Sequence, residues 1–249
     1  MHTRCCTRVL YSRACLVDPG YGRGILGRAD TVHIMTHLYT AAMREHPPIV
    51  LTNPFDHLEL PRIEPRPVEF LEHEEAEVLY AAAEALGSRW RTLIELGTDS
   101  GLRPGEIYGL YGHRVDWLRS QVQVIDVMTR QGLRQWPKSK RSHRIVPVPA
   151  HILEGMSVLM AGRPRDALVF TAPQGGPVTD GHFRNRVWYP AVEAADIRRF
   201  APRIMPHTAA SWLVQDGVPL YDVQMLLGHE DYGTTQSGMR TSRRTRTTR

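Results

Sequence analysis

Several stretches of the chain return an apolar residue every three or four positions, and each predicts a helix. Val32, Met35, Leu38, Tyr39 and Ala42 share one face between Thr31 and Arg44. His46-Pro47-Pro48 stops that run, because a proline pushes the preceding residue out of helical backbone. Glu72 to Leu86 is richer in Ala, Glu and Leu, with Leu79, Ala82, Ala83 and Leu86 as its apolar stripe and its acidic residues as a solvated face. Trp90 to Leu96 forms another helix and ends in the small residues Gly97 to Gly101. Pro104, Ile107 and Leu110 then read as a new first turn, since proline is tolerated at the first helical position. Further on, His151 to Met160 is helical, and Thr179 or Asp180 is a suitable N-cap for a helix reaching Ala195. Pro202 to Pro206 interrupts the periodicity. His207 to Gln215 follows and is closed by Gly217; Leu220 to Leu227 is opened by Pro219 and closed by Gly228.

A different period marks the middle of the chain. Gln121 to Met128 is rich in β-formers with partial alternation, Gly132 breaks it, and Leu133 to Pro137 and Arg144 to Val148 read as two more short strands. The predicted class is therefore mainly α with a small antiparallel β-sheet. Four segments follow: an irregular start (1–29), a partial helical region ending in a Pro-rich linker (30–66), a large domain (67–236), and a disordered basic tail (237–249). No internal repeat is visible.

Composition narrows the class of function. With 249 residues, 42% hydrophobic and 23% charged, the chain can build one large or two small domains. No run approaches the roughly 18 apolar residues of a spanning helix, and Arg8 and Arg13 interrupt any signal-peptide core. Cys5, Cys6 and Cys15 crowd the first 15 residues without zinc-type spacing, so a reducing, cytoplasmic setting is the simple expectation. The net charge of +5 is unevenly placed. The tail holds five arginines, residues 53–100 hold 4 Arg against 11 Asp/Glu, and residues 103–144 hold 9 Lys/Arg against 3 Asp/Glu. A basic block inside a folded region is the footprint of a polyanion-binding face.

Arg103 carries the first chemical suggestion. It stands at a loop-to-helix junction, where a guanidinium and backbone N–H groups can meet one anion. Glu106, one turn on, is placed to hold that guanidinium. The junction reads Ser-Gly-Leu-Arg-Pro-Gly-Glu. It is followed by Pro-Lys-Ser-Lys-Arg-Ser-His-Arg-Ile-Val-Pro, by His-Thr-Ala-Ala-Ser, and by Gly-Val-Pro-Leu-Tyr-Asp-Val-Gln-Met-Leu-Leu-Gly-His.

In that order these motifs resemble the catalytic domain of the tyrosine recombinase (phage integrase) family, of the actinobacterial type, over roughly residues 67–236. Residues 30–64 resemble the C-terminal part of the helical core-binding domain that precedes it, whose start is expected to be missing. The resemblance implies cleavage and rejoining of double-stranded DNA without a cofactor or metal, by subunits that assemble on DNA, as tetramers in the family. A tyrosine attacks the scissile phosphodiester and becomes a 3′-phosphotyrosine. Arginines and histidines stabilise the phosphorane, and a hairpin lysine protonates the leaving 5′-oxygen. Carried over by position, Arg103 is the first arginine, Glu106 its supporting carboxylate, Lys138 the hairpin lysine (Lys140 the alternative) and His229 the late histidine. Arg134, Lys140, Arg141 and Arg144 are expected to face DNA.

Two positions depart from the family pattern. Its His-x-x-Arg falls, without gaps, on Arg203 and Pro206. With a short deletion His207 takes the histidine's place, and Ala210 then stands where the arginine should be. The second arginine is absent either way. The nucleophile should lie nine or ten residues beyond the late histidine, where Gly238 and Met239 stand; Tyr232, three residues from His229, is the nearest tyrosine. The expectation is a recombinase-type protein, truncated and degenerate, that keeps a DNA-binding surface but is catalytically impaired. A non-catalytic DNA-binding remnant, an active enzyme using Tyr232 or a tyrosine from another subunit, and a phosphate-directed hydrolase built on Arg103 and histidines are the competing readings.

Overall fold

The computed structural model describes residues 23–58, 69–135 and 143–228, and the chain divides into two compact units, Met1–Pro65 and Arg66–Arg249. In the first unit helix α1 spans Arg23–Arg44. It starts well before Thr31, so part of the segment expected to be irregular is helical. Isolated glycines such as Gly24 and Gly27 cost a helix only about 1 kcal/mol each and do not end it. The Asn53-Pro54 turn is pinned by the Asn53 side chain: its Nδ2 donates to Asp56 Oδ1 at 2.7 Å and to Thr36 O at 3.3 Å, and Tyr39 packs on Phe55 with ring centroids 5.6 Å apart.

The second unit is a helical assembly with small antiparallel sheets set into one side. Helix α2 spans His73–Leu86 and α3 spans Ser88–Ser100. Glu75 reaches back to accept from the Glu72 N–H at 3.0 Å, a satisfied orphan donor at the start of α2. The stripe of α2 is rotated from the sequence expectation. Ala76, Leu79, Tyr80 and Ala83 are buried, while Leu86 is exposed because the helix ends there at Gly87. Helix α3 also runs through Gly97, Thr98 and Asp99, which the sequence suggested as loop. Tertiary packing overrides propensity here: a Cβ on Gly97 would sit 2.7 Å from Met205 Sδ, so the missing side chain is what lets two helices touch. Gly101 then closes α3 in left-handed backbone at φ 69°, a conformation that glycine adopts without steric cost.

Helix α4, Pro104–Tyr108, follows at once with Arg103 as its N-cap residue. After a short 3₁₀ turn come β1 (Val115–Asp116), β2 (Gln121–Val124), β3 (Asp126–Thr129), β4 (Gly132–Gln135) and β5 (Arg144–Pro147). The single predicted strand 121–128 is two strands broken at Ile125, and the halves serve different sheets. β2 sits between β1 and β5, with Val122 opposite Val146, while β3 pairs with β4, with Val127 opposite Arg134. Gly109 lets the end of α4 lie on β3: a Cβ there would meet Asp126 O at 2.9 Å.

Helix α5 spans Ala150–Met160. The predicted 180–195 helix is α6 (Asp180–Phe183), a π-helical turn (Arg184–Trp188) and α7 (Tyr189–Ala194). Thr179 caps it by accepting from the His182 N–H at 3.3 Å, as expected. Helix α8 spans Ile204–Gln215 and α9 spans Leu220–Leu227. α8 thus starts before Pro206, not after it. A proline in the first turn removes an N–H that has no intrahelical acceptor anyway, so Pro202 to Pro206 is less disruptive than it reads. Trp188, Tyr108, Phe183, Leu93, Ile94 and Leu96 lie in the core of this unit.

Candidate functional site

The site grows from the junction between α3 and α4. The Arg103 N–H donates to Glu106 Oε2 at 2.9 Å and its Nη1 donates to Glu106 Oε1 at 3.1 Å. Glu106 itself is only 4% exposed. A buried carboxylate needs compensation, and it comes from 38 residues away. Arg144 Nη1 and Nη2 donate to the two Glu106 oxygens at 3.0 and 2.9 Å, a bidentate fork. Burial pushes the Glu106 carboxyl up, but the hydrogen bonds and charge of Arg144, then the backbone N–H and charge of Arg103, outweigh it. The net effect holds Glu106 below the usual carboxylate range. Glu106 is therefore an ionised strut between two guanidiniums.

The two arginines differ in what they present. The Arg144 side chain is 6% exposed, whereas that of Arg103 is 41% exposed. Arg144 also donates through Nε to Leu226 O at 2.6 Å, satisfying a carbonyl in the last turn of α9. The expectation that Arg144 faces DNA is corrected by this geometry. Both ends of its guanidinium are used inside the protein, and it ties β5, α4 and α9 together. Arg103 keeps its outer face open to solvent.

The third group arrives on α8. A Cβ on Gly101 would meet Leu227 Cδ2 at 2.6 Å and Ala209 Cβ at 3.4 Å. The end of α3 thus nests between α8 and α9, and Arg103 follows two residues later. His207 has its titration lowered by partial burial first, then by the charges of Arg203 and Arg103. The charges of Arg103 and Arg203 thus both reach the His207 imidazole. Arg203 is exposed at the N-cap position of α8. Sequence alone leaves Arg203 and His207 as alternatives for the motif histidine, and both stand at the start of α8.

Of the remaining predicted residues, Arg134 is exposed on β4, with its guanidinium turned to Gln131 Oε1 in the adjoining turn. Lys138, Lys140, Arg141 and His229 lie outside the described residues, as do Tyr232, Gly238 and Met239. Pro206 occupies the first turn of α8 and carries no donor. Among the described residues no group of three or more His, Cys, Asp or Glu could hold a metal ion, and no helix is long and apolar enough to cross a membrane. What the arrangement can do is hold an anion against a preorganised arginine, with the His207 imidazole within its electrostatic reach.

The comparisons with known proteins agree on the family. The phage integrase family matches residues 69–242. The tyrosine recombinase XerD of Pseudomonas aeruginosa is 31% identical over 191 residues, which is 76% of this chain and 62% of that protein. The chain thus spans less than two thirds of that relative's length. The tyrosine recombinase XerC of Bacillus subtilis is 28% identical over 231 residues, 87% of this chain and 71% of that protein. Among solved structures, the Tn1549 transposon integrase in complex with a circular intermediate DNA superposes with a TM-score of 0.74 at 15% identity, over 97% of this chain and 82% of that one. The XerH site-specific recombinase bound to its difH substrate gives 0.64 at 16% identity, over 96% of this chain and 67% of that one. The chain belongs to the phage integrase family of tyrosine recombinases.

Proposed function

We propose that this protein binds double-stranded DNA as a site-specific recombinase or integrase does, holding a backbone phosphate on Arg103, but that its strand cleavage is impaired. The observation that supports the reading is the Arg103–Glu106–Arg144 unit. A buried, doubly paired carboxylate fixes Arg103 from behind and leaves the guanidinium's other face open. Such a fork is matched to a tetrahedral oxyanion and loses little freedom on binding one. Lys138, or Lys140, and His229 complete the constellation in this reading. Arg134, Lys140 and Arg141 add phosphate contacts from the basic hairpin segment. Structural neighbours include a transposon integrase in complex with a circular intermediate DNA, which supports the same partner here. A cytoplasmic setting and assembly of several copies on one DNA accompany the proposal.

Impairment rests on the chain's own residues. Pro206, or Ala210 if a short deletion is allowed, stands where the second arginine is expected, and Gly238 and Met239 stand where the nucleophile is expected. Loss of one preorganised donor costs about 10²–10³ in rate, and loss of a covalent nucleophile on the order of 10⁶. The test uses a suicide DNA duplex carrying a nick near the cleavage site. The expected outcome is salt-dependent binding with no covalent protein–DNA adduct. An adduct on the purified chain overturns the impairment. A logarithmic affinity that does not change with the logarithm of salt overturns phosphate-driven binding.

A further inference from the structure

Helix α2 leaves one long stripe without a partner. Glu74, Glu77, Val78, Ala81, Glu84 and Ala85 recur every three or four residues and are all exposed. The opposite stripe, Ala76, Leu79, Tyr80 and Ala83, is buried. Glu84 is paired with Arg91 at 2.9 Å. Glu74 and Glu77 enter no ion pair among the described residues. A surface of opposite charge lies elsewhere on the same unit. A cavity of about 710 Å³ opens between the turn that leads into β1 and the end of α5, and His113, Arg114, Trp117, Leu118, Met160 and Arg165 line it. Its charged groups are these two arginines and Arg163, against Asp116. The walls are firmly held. Arg163 donates to the carbonyls of Leu159, Leu168 and Val169, and a Cβ on Gly112 would meet Met160 Cε at 2.5 Å. Arg114 donates through Nε to Asp126 at 3.0 Å, while Arg165 is exposed and enters no ion pair among the described residues. Leu118 stands at the rim, 97% exposed. Its turn is pinned by Asp116, whose Oδ1 accepts from the N–H groups of Leu118 and Arg119 at 3.2 and 3.0 Å.

We propose that the acidic face of α2 on one copy of the chain docks over this cationic cavity on a second copy. Glu74 and Glu77 then face Arg114 and Arg165, and Val78 meets the presented Leu118. Charge and shape both select a second copy as the occupant. Each surface carries what the other lacks, carboxylates beside small apolar residues on one and guanidiniums beside Trp117, Leu118 and Met160 on the other. One chain cannot satisfy both by itself. α2 and α5 pack on different sides of α3: Tyr80 and Glu84 of α2 meet Thr98 and Arg91, whereas Gly155 of α5 lies against Thr92. The α2 stripe and the cavity are therefore fixed apart in one rigid unit. Their contact is head-to-tail, because every copy offers one acidic and one basic surface. A single helix stripe over a single cavity makes a small interface, steered by charge and sensitive to salt. The inference goes beyond the DNA-binding reading and stands without it, since no group of the Arg103 site takes part.

The experiment is analytical ultracentrifugation of the full chain, purified free of nucleic acid. The wild type is expected to self-associate at an ionic strength of about 0.1 M and to dissociate at about 1 M, where the screening length falls from about 10 Å to 3 Å. Glu77→Arg and Arg165→Glu should each weaken self-association at least about tenfold, because each sets like charges against each other. Both positions are exposed, and circular dichroism verifies that the variants keep the fold. An equimolar mixture of the two variants should recover association. In the mixed pair Glu77 of one chain again meets Arg165 of the other, and the reversed charges meet at the next contact. A loss caused by misfolding would not be restored by mixing. A wild type that stays monomeric at the lower salt overturns the interface. So does a mixture that fails to recover. Weakening by Glu77→Arg but not by Arg165→Glu overturns the cavity as the docking site and points to another occupant of the α2 face, such as the basic tail.

Discussion

Replacing Arg144 by Met removes the buried half of the strut behind Arg103 while keeping most of the side-chain volume. Glu106 then stays at 4% exposure with only the half-exposed Arg103 opposite it. Breaking a buried ion pair by removing one partner costs about 3–5 kcal/mol, because the remaining charge keeps its desolvation penalty. Arg103 offsets little of that, since a pair open to water contributes at most about 1 kcal/mol. With a urea m-value of about 2 kcal/mol per M, the midpoint should fall by about 1.5–2.5 M. Glu106→Gln leaves Arg144 without a counter-charge and should cost a similar amount. The double variant Glu106→Gln/Arg144→Met should cost less than the sum of the singles by at least about 2 kcal/mol. The pH dependence carries the same signature. The folded-state Glu106 carboxyl is held below its unfolded value, so its stabilisation is complete above the unfolded value and is lost as pH falls through the folded one. Glu106→Gln should flatten that acid limb. Single costs below about 1 kcal/mol, or a strictly additive cycle, would refute the strut.

Other outcomes follow from the same geometry. Gly101→Ala should lower stability by about 2–4 kcal/mol, adding a left-handed backbone penalty to overpacking against Leu227; thermal unfolding reads it. His207 titrates below its ordinary value, so its neutral, folded form is favoured above the unfolded pKa. Stability should drop as pH falls from about 6.5 towards the folded value, and His207→Gln should flatten that part of the urea-midpoint profile. Arg103→Ala should weaken DNA binding and reduce the slope of log affinity against log salt by about one phosphate's worth, as measured by gel shift. Pro206→Arg combined with Met239→Tyr should yield a covalent adduct on the suicide duplex where neither single change does; absence of adduct from the double variant argues that the nucleophile belongs elsewhere.

Local chemistry made much of this protein legible from its sequence. Periodicity located α2, α5 and α9 closely, because each buries one stripe and is bounded by a cap, a proline or a glycine. The Arg-Pro-Gly-Glu junction announced the Arg103–Glu106 pair, since both partners lie within one helical turn. The family followed from the order of four short motifs. What only the tertiary structure decided depends on contacts between distant residues. Gly97 to Ser100 continue α3, with Met205 packed where a side chain on Gly97 would stand. The strand 121–129 divides at Ile125 because its halves find different partners. Arg144 reads as one more basic residue of a hairpin, yet it is buried. Its partner Glu106 is 38 positions away, and no local pattern encodes a pair closed by the packing of α4, β5 and α9.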